Sequence, residues 1–112
     1  MGRAQRVKGH SFERWVANFF KALGYADAKR GIGQARSAGE VADVEGVPGI
    51  WVECKRGKRT HPREALEQAI EAGGHTGRMP VAICKDDRGP VTATMLLGDF
   101  AWLLDRGGWD EL

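Results

Sequence analysis

The chain has 112 residues, of which 42% are hydrophobic and 29% charged, and its formal net charge is +2. This length allows one domain with a single modest core and excludes a large multidomain enzyme. The composition is that of a globular protein, which excludes wholesale disorder, and no apolar run approaches the ~18 residues of a membrane span.

The first predicted elements are a basic flexible arm over residues 1–9 and a helix from Ser11 to about Leu23. Ser11 is a good N-cap residue, and Gly24 is placed to end the helix. The apolar residues between them follow the i, i+3, i+4, i+7 spacing of one buried helix face. They are Phe12, Trp15, Val16, Phe19, Phe20 and Leu23.

Loops and a hairpin are predicted next. The glycine-rich, basic residues 28–39 indicate an exposed loop. Residues 41–45 and 50–55 predict two strands joined around Gly46-Val47-Pro48-Gly49. Residues 56–60 form a second basic loop.

The second half continues with a helix that begins at Pro62 and ends at Gly73-Gly74. Its predicted buried face holds Ala65, Leu66, Ala69 and Ile70. Strands are predicted over residues 81–84 and 91–97, and Asp99 is placed to cap a last short helix that reaches about Asp105. The order α-β-β-α-β-β-α predicts one domain of the α/β class over residues 1–112.

The charge is distributed unevenly along the chain. Residues 1–59 carry 12 Lys and Arg against 6 Asp and Glu, whereas residues 60–112 carry 5 against 9. A basic half is typical of proteins that bind a polyanion such as nucleic acid, although ordinary solvated charge explains it equally well.

The two cysteines, Cys54 and Cys84, allow at most one disulfide, and no apolar signal sequence follows the basic N-terminus. We therefore expect a cytoplasmic protein with buried thiols.

The candidate catalytic residues Glu53 and Lys55 lie on the predicted strand over residues 50–55. Because side chains alternate along a strand, Glu53 and Lys55 share one face while Val52 and Cys54 take the other, apolar one. Carboxylate oxygens bind Mg²⁺, and a neighbouring ammonium can position water or stabilise charge that develops on phosphate. Alone, the Glu-x-Lys pattern is weak, because edge strands often carry such pairs for solubility. Trp51 lies on the same face of the predicted strand as Glu53 and is expected near the site or at a subunit contact.

Asp43 joins this pair in only one register of the hairpin. A two-residue loop at Val47-Pro48 would place Asp43 opposite Val52, and the carboxylates of Asp43 and Glu53 would then point to opposite faces. A three-residue loop over residues 47–49, or a bulge, places Asp43 opposite Glu53.

The order of an acidic helix residue, a strand Asp and Glu-x-Lys resembles the PD-(D/E)xK nuclease superfamily. Within it, Lys8-Gly9-His10-Ser11-Phe12-Glu13-Arg14 is similar to the opening of the archaeal-type Holliday-junction resolvases. Arg36-Ser37-Ala38-Gly39, just before the Asp strand, also resembles that family. The resemblance extends over about residues 6–70. Two features depart from the pattern, namely the short spacing between Asp43 and Glu53 and the presence of Ala42 in place of a proline.

The resemblance implies a restriction-endonuclease-like fold, with a mixed, mainly antiparallel central sheet flanked by helices. It implies that Asp43, Glu53 and Glu13 bind Mg²⁺, for which Mn²⁺ would substitute. Lys55 would orient the attacking water or stabilise the pentacoordinate phosphate. DNA contacts are predicted for Lys8, Arg14, Arg30, Arg36, Ser37, Arg56, Lys58 and Arg59. Glu40, His10 and Gln68 are further polar residues for which an assisting role stays open.

These features predict a Mg²⁺-dependent endonuclease that resolves four-way DNA junctions in recombination and repair. The alternatives are another small nuclease of the superfamily acting on nicked, flapped or duplex DNA, or a non-catalytic DNA-binding module. Neither a membrane nor a small-molecule cofactor is expected, and a phage-encoded protein acting in a host cytoplasm fits the same features. A homodimer is expected, because a two-fold enzyme suits a two-fold junction. Its interface is predicted to include Phe100, Trp102, Leu103, Leu104 and Trp109.

Overall fold

The computed structural model describes residues 2–32 and 41–106. These residues form a five-stranded sheet in the order β1-β2-β3-β4-β5 with helices on both faces. Neighbouring strands are antiparallel except β3 and β4, which are parallel. The predicted mixed, mainly antiparallel α/β fold is therefore confirmed. The elements in chain order are α1 (Arg3–Ala22), β1 (Lys29–Arg30), β2 (Val44–Glu45), β3 (Ile50–Gly57), α2 (Pro62–Gly73), a 3₁₀ turn (Gly74–Thr76), β4 (Met79–Asp86), β5 (Val91–Met95) and α3 (Leu97–Arg106).

Helix α1 begins eight residues earlier than predicted, so residues 3–9 belong to a helix and are not a flexible arm. Most residues between Arg3 and Lys8 are good helix formers, and the helix continues through the single Gly9 at a cost of about 1 kcal/mol. Its first turn is closed by the side chain of Gln5, whose Oε1 accepts a hydrogen bond from the backbone N–H of Gly2 at 3.2 Å. Ser11 consequently lies inside the helix and caps nothing.

The end of α1 matches the prediction. Gly24 has φ of +113°, a conformation that glycine adopts without steric cost. Its N–H donates to the carbonyl of Lys21, and the N–H of Tyr25 donates to the carbonyl of Phe20. This pair of hydrogen bonds is the Schellman motif, which satisfies carbonyls that would otherwise lack partners.

One face of the sheet packs against α1. Phe12, Val16 and Ala17 of the helix are buried against Val52 and Cys54 of β3 and their neighbours on β2 and β4. The predicted apolar face of α1 is wider than the part of the helix that the core buries. Trp15 and Phe19 belong to that face but remain 50% and 48% exposed. Both line the gap between α1 and the edge strand β5.

Residues 29–30, predicted to be part of a loop, form strand β1 against β2. Two glycines allow this close approach. A Cβ on Gly31 would lie 1.8 Å from the carbonyl oxygen of Ala42, and one on Gly46 would lie 2.1 Å from that of Asp27. Ala28 is fully buried beside them. The loop prediction was wrong here because glycine content indicates close backbone contact as well as exposed turns.

The hairpin between β2 and β3 has the register that the site requires. Val44 pairs with Val52, as the three-residue loop requires, and Asp43 lies just before β2 with its N–H bonded to the carbonyl of Val52. The turn follows the three-residue alternative: the N–H of Ile50 donates to the carbonyl of Val47 at 3.4 Å, and Gly49 has φ of +89°. Proline followed by a positive-φ glycine is typical of a type II turn.

Helix α2 covers the other face of the sheet. Ala65, Leu66 and Ala69 are buried as predicted, whereas Ile70, at the margin of this face, is 37% exposed. Trp51 is buried beneath α2, where it packs with Ala42 and Ala69. Gly73 makes room for it, since a Cβ there would lie 2.4 Å from the indole ring.

The last described elements are an edge strand, β5, and a helix, α3, that contributes no buried residue. One residue, Leu96, separates β5 from α3, which begins two residues before Asp99. None of the residues of α3 is buried. Among the described residues, no helix combines the length and apolar character that crossing a membrane requires.

Candidate active site and nucleic-acid surface

Strand β3 presents Glu53 and Lys55 on one face, as the alternation of side chains predicts. Lys55 Nζ lies 4.0 Å from Glu53 Oε2, and the two side chains are 40% and 18% exposed. Val52 and Cys54 point the other way into the core beneath α1. The strand therefore fixes an acid and a base side by side, with the ammonium on the solvent side.

Asp43 is held in place by three hydrogen bonds that involve two neighbouring strands. Its N–H donates to the carbonyl of Val52 at 2.9 Å, its carbonyl accepts from the N–H of Gly31 at 2.8 Å, and its Oδ2 accepts from the N–H of Cys54 at 2.8 Å. Asp43 thus joins β3 to the residue that follows β1. Its side chain has one fixed direction, towards the β3 backbone between Glu53 and Lys55.

Burial is the main reason that the pKa of Asp43 is raised above its usual value. The hydrogen bond from Cys54 opposes this shift, and the negative charge of Glu13 adds to it. The positive charges of Lys55 and Arg30 act in the lowering direction. Charged side chains from α1, β1 and β3 therefore all influence the pKa of Asp43.

Glu13 reaches this group from α1 and forms an ion pair with Arg30. Arg30 Nε donates to Glu13 Oε1 at 2.8 Å, and both side chains are largely buried. Strand β1 is the element that brings Arg30 to this position. The sequence did not predict the ion pair of Arg30 with Glu13, because it did not predict strand β1.

The thiol of Cys54 lies among the same carboxylates. Its pKa is raised first by burial and then by the charges of Asp43, Glu13 and Glu53. A thiol whose pKa is raised stays protonated and is a poor nucleophile. Cys54 is therefore a packing residue, and all three acids lie close enough to its thiol to influence its pKa.

Glu13, Asp43 and Glu53 offer carboxylate oxygens to a divalent cation, but their side chains are not arranged as a closed metal site. Within residues 2–32 and 41–106, no three His, Cys, Asp or Glu side chains converge closely enough to hold a metal ion. Glu13 is bonded to Arg30 and Asp43 to a backbone N–H. The donor chemistry nevertheless fits, because carboxylate oxygens are the ligands of Mg²⁺ and a cation would relieve the repulsion that Glu13 exerts on Asp43.

Two of the predicted DNA-contacting residues converge on an acid that the sequence analysis did not single out. Lys8 Nζ lies 3.1 Å and Arg56 Nη1 2.6 Å from Asp87 Oδ1, in the turn between β4 and β5. The pKa of Asp87 is lowered by the hydrogen bond from Lys8 and by the charges of both cations. Lys8 and Asp87 are 79 positions apart, so no local sequence pattern indicates this contact.

The remaining predicted residues are spread over the surface or lie outside the described ranges. Arg14, His10 and Gln68 are exposed on helices, and Lys58 and Arg59 are exposed after β3. Arg56 belongs to β3 instead of to the basic loop predicted over residues 56–60. Arg36, Ser37, Glu40 and Trp109 lie outside the described residues.

The fold and these side chains define a class of protein: an α/β domain with acids and a lysine gathered around one strand of a mixed sheet, as in PD-(D/E)xK nucleases. The model of the restriction endonuclease family, in its Mrr catalytic form, matches residues 4–82. The chain belongs to this restriction endonuclease family. Nucleases of the superfamily usually use divalent metal ions.

A curated relative gives a second comparison. The chain is 31% identical over 90 residues to adenine deaminase 3 of Rhizobium johnstonii (strain DSM 114642 / LMG 32736 / 3841). The match covers 79% of this chain but only 14% of that protein. The chain therefore corresponds to a small segment of that relative. No solved structure matches the chain significantly.

Proposed function

We propose that this domain is a Mg²⁺-dependent endonuclease that hydrolyses DNA phosphodiester bonds and prefers four-way junctions. One observation carries the proposal. Glu13, Asp43, Glu53 and Lys55 come from three separate elements and share one electrostatic neighbourhood, in the part of the chain that the family match covers. A domain that only bound DNA would not need this combination.

The roles of the side chains follow from their positions. Asp43, Glu53 and Glu13 would hold the ion, which when bound supplies Lewis-acid activation of water and neutralises charge on the phosphate. Mn²⁺ has the same ligand preferences and is expected to substitute. Lys55 is the most exposed of the four predicted catalytic groups, so its ammonium can reach the scissile phosphate or the attacking water. Arg30 would orient Glu13 in the same site.

The preference for junctions is supported by the segment Lys8–Arg14, which is similar to the opening of the junction resolvases. We propose a homodimer, since two active sites related by a two-fold axis suit paired cuts across a two-fold junction.

Action in the cytoplasm is consistent with Cys54 and Cys84, which are both free and buried. The family match favours one second candidate, a nuclease of the same chemistry acting on ordinary duplex DNA.

Cleavage of a synthetic four-way junction and of a linear duplex with the same arm sequences, each with Mg²⁺, tests the proposal. The wild-type protein should cut the junction faster than the duplex. Glu53→Gln should abolish cleavage and leave junction binding nearly unchanged, because it removes a ligand oxygen without adding bulk. Glu67→Gln, at an exposed position of α2, is the matched control and should cut normally.

The outcomes separate the two parts of the proposal. If Glu53→Gln keeps its rate within about tenfold, which is roughly 1.4 kcal/mol of barrier, Glu53 is not an essential ligand. If the wild-type protein cuts both DNAs equally well, the nuclease chemistry holds and the junction preference does not.

A further inference from the structure

Helix α3 has an apolar face that is left largely exposed by the part of the chain that the structure describes. Leu97 is 78% and Phe100 47% exposed, and Leu103 continues the same i, i+3 spacing on that side. No residue of α3 is buried. A short helix of this kind is marginal in water unless its apolar face is covered.

A groove of matching character runs between α1 and the edge strand β5. Its walls are Phe12, Trp15 and Phe19 on the helix side and Val91 and Ala93 on the strand side. It comprises two adjoining cavities of about 340 and 190 Å³, both of which Trp15 and Val91 line. Apolar side chains line most of the part of the groove that lies away from Lys8, Arg56 and Lys85, so this part fits a hydrophobic helix face.

The dimensions of the helix and the groove agree. From Lys8 to Phe19 the α1 wall is about 16 Å long, and the ten residues of α3 span about 15 Å at 1.5 Å per residue. No residue of α3 lines the groove of its own chain. Only Leu96 joins β5 to α3, and connections that reverse the chain between elements usually need at least two residues.

The charges at the ends of the two surfaces are also complementary. Lys8, Arg56 and Lys85 surround one end of the groove, and Asp87 neutralises only part of this positive charge. Helix α3 carries Asp99 and Asp105 against a single Arg106, so it brings net negative charge. Opposite charges at the rim of an apolar contact fix its orientation.

We propose that α3 of one copy docks in the α1–β5 groove of a second copy, and that the reciprocal contact forms around a two-fold axis. Each copy then covers the apolar face that the other leaves exposed. The inference specifies the homodimer of the proposed function, but it does not depend on nuclease activity.

Sedimentation of the full chain at micromolar concentration, without DNA or metal, tests this docking. The wild-type protein should sediment at twice the monomer mass of 12.3 kDa. Trp15→Glu changes the groove and Phe100→Glu changes the helix, and each should raise the dimer dissociation constant about tenfold or more. Leu23→Glu is the matched control, because Leu23 is also an exposed apolar residue at α1's C-terminal end but lies outside both surfaces, and this variant should remain dimeric.

Circular dichroism of each variant shows whether it is folded, and Trp15→Ala and Phe100→Ala replace any variant that is not. A monomeric wild-type protein would overturn the inference, and so would a dimer that survives changes on both surfaces. Dissociation by both changes, with the control still dimeric, would support it. Because the assay contains no DNA, a failure here is independent of a failure to cleave.

Discussion

Gly46 and Gly49 offer a controlled test of the backbone packing that positions the site. They lie at the two ends of the β2–β3 turn and have almost the same conformation, with φ of +90° and +89°. They differ in the space around them. A Cβ on Gly46 would lie 2.1 Å from the carbonyl oxygen of Asp27 and 2.9 Å from Cα of Ala28, whereas nothing lies within 4 Å of a Cβ on Gly49.

The expected magnitudes follow from this difference. A positive φ costs a non-glycine residue about 1–2 kcal/mol, and this cost applies to alanine at both positions. Gly→Ala also reduces the freedom of the unfolded chain equally in both variants, which offsets about 0.4–1 kcal/mol. Only Gly46→Ala adds a clash with backbone atoms, for which overpacking suggests about 1–3 kcal/mol. Gly46→Ala should therefore be less stable than Gly49→Ala by about 1–3 kcal/mol.

Urea unfolding measures this difference directly. The free energies of unfolding of the two variants are compared by linear extrapolation, with the fluorescence of buried Trp51 as one probe and circular dichroism as another. A difference of this size corresponds to roughly 4 °C in melting temperature per kcal/mol for a domain of this length. Equal destabilisation of the two variants would refute the argument that Gly46 is selected for close approach between β2 and the residues before β1.

Three further predictions concern the site and the surface around it. Burial raises the pKa of Asp43 above its usual 3.8, so the folded state binds the carboxyl proton more tightly than the unfolded state does. Protonated Asp43 therefore stabilises the fold at low pH, and this stabilisation is lost as pH rises from 3.8 through the raised pKa. Asp43→Asn should remove that decline from a curve of unfolding free energy against pH. Arg30→Gln should lower the single-turnover cleavage rate with little change in DNA affinity, because it loosens Glu13, whereas Arg14→Gln at an exposed position should weaken binding instead. Asp87→Asn should release the two cations it binds, and fluorescence anisotropy over a salt series should then show tighter DNA binding, with a slope steeper by about one unit for each new phosphate contact.

The parts of the site that lie on one strand could be predicted from the sequence. Alternation along β3 is a local property, so the common face of Glu53 and Lys55 and the burial of Val52 and Cys54 follow from residue order alone. The hairpin register could be reduced to two alternatives from the loop length. The positive-φ position of Gly49 selects between them.

The missed features depend on contacts between distant segments. Strand β1 is two residues long and has no periodicity of its own, so only its pairing with β2 reveals it. The ion pair of Arg30 with Glu13 depends on that strand. Trp15 was predicted to be buried because helical spacing identifies the apolar stripe of α1 but not how much of it the sheet is wide enough to cover.

The three hydrogen bonds of Asp43 make this residue serve the fold and the chemistry at once. A substitution there that removes the side-chain oxygen, such as Asp43→Ala, also leaves the N–H of Cys54 without its acceptor. A descendant of this protein that retained DNA binding but no longer cleaved would therefore be expected to keep a hydrogen-bond acceptor at position 43 for structural reasons. The presence of an aspartate at this position in a related sequence would then say little about activity, whereas the residue at position 53 would be informative.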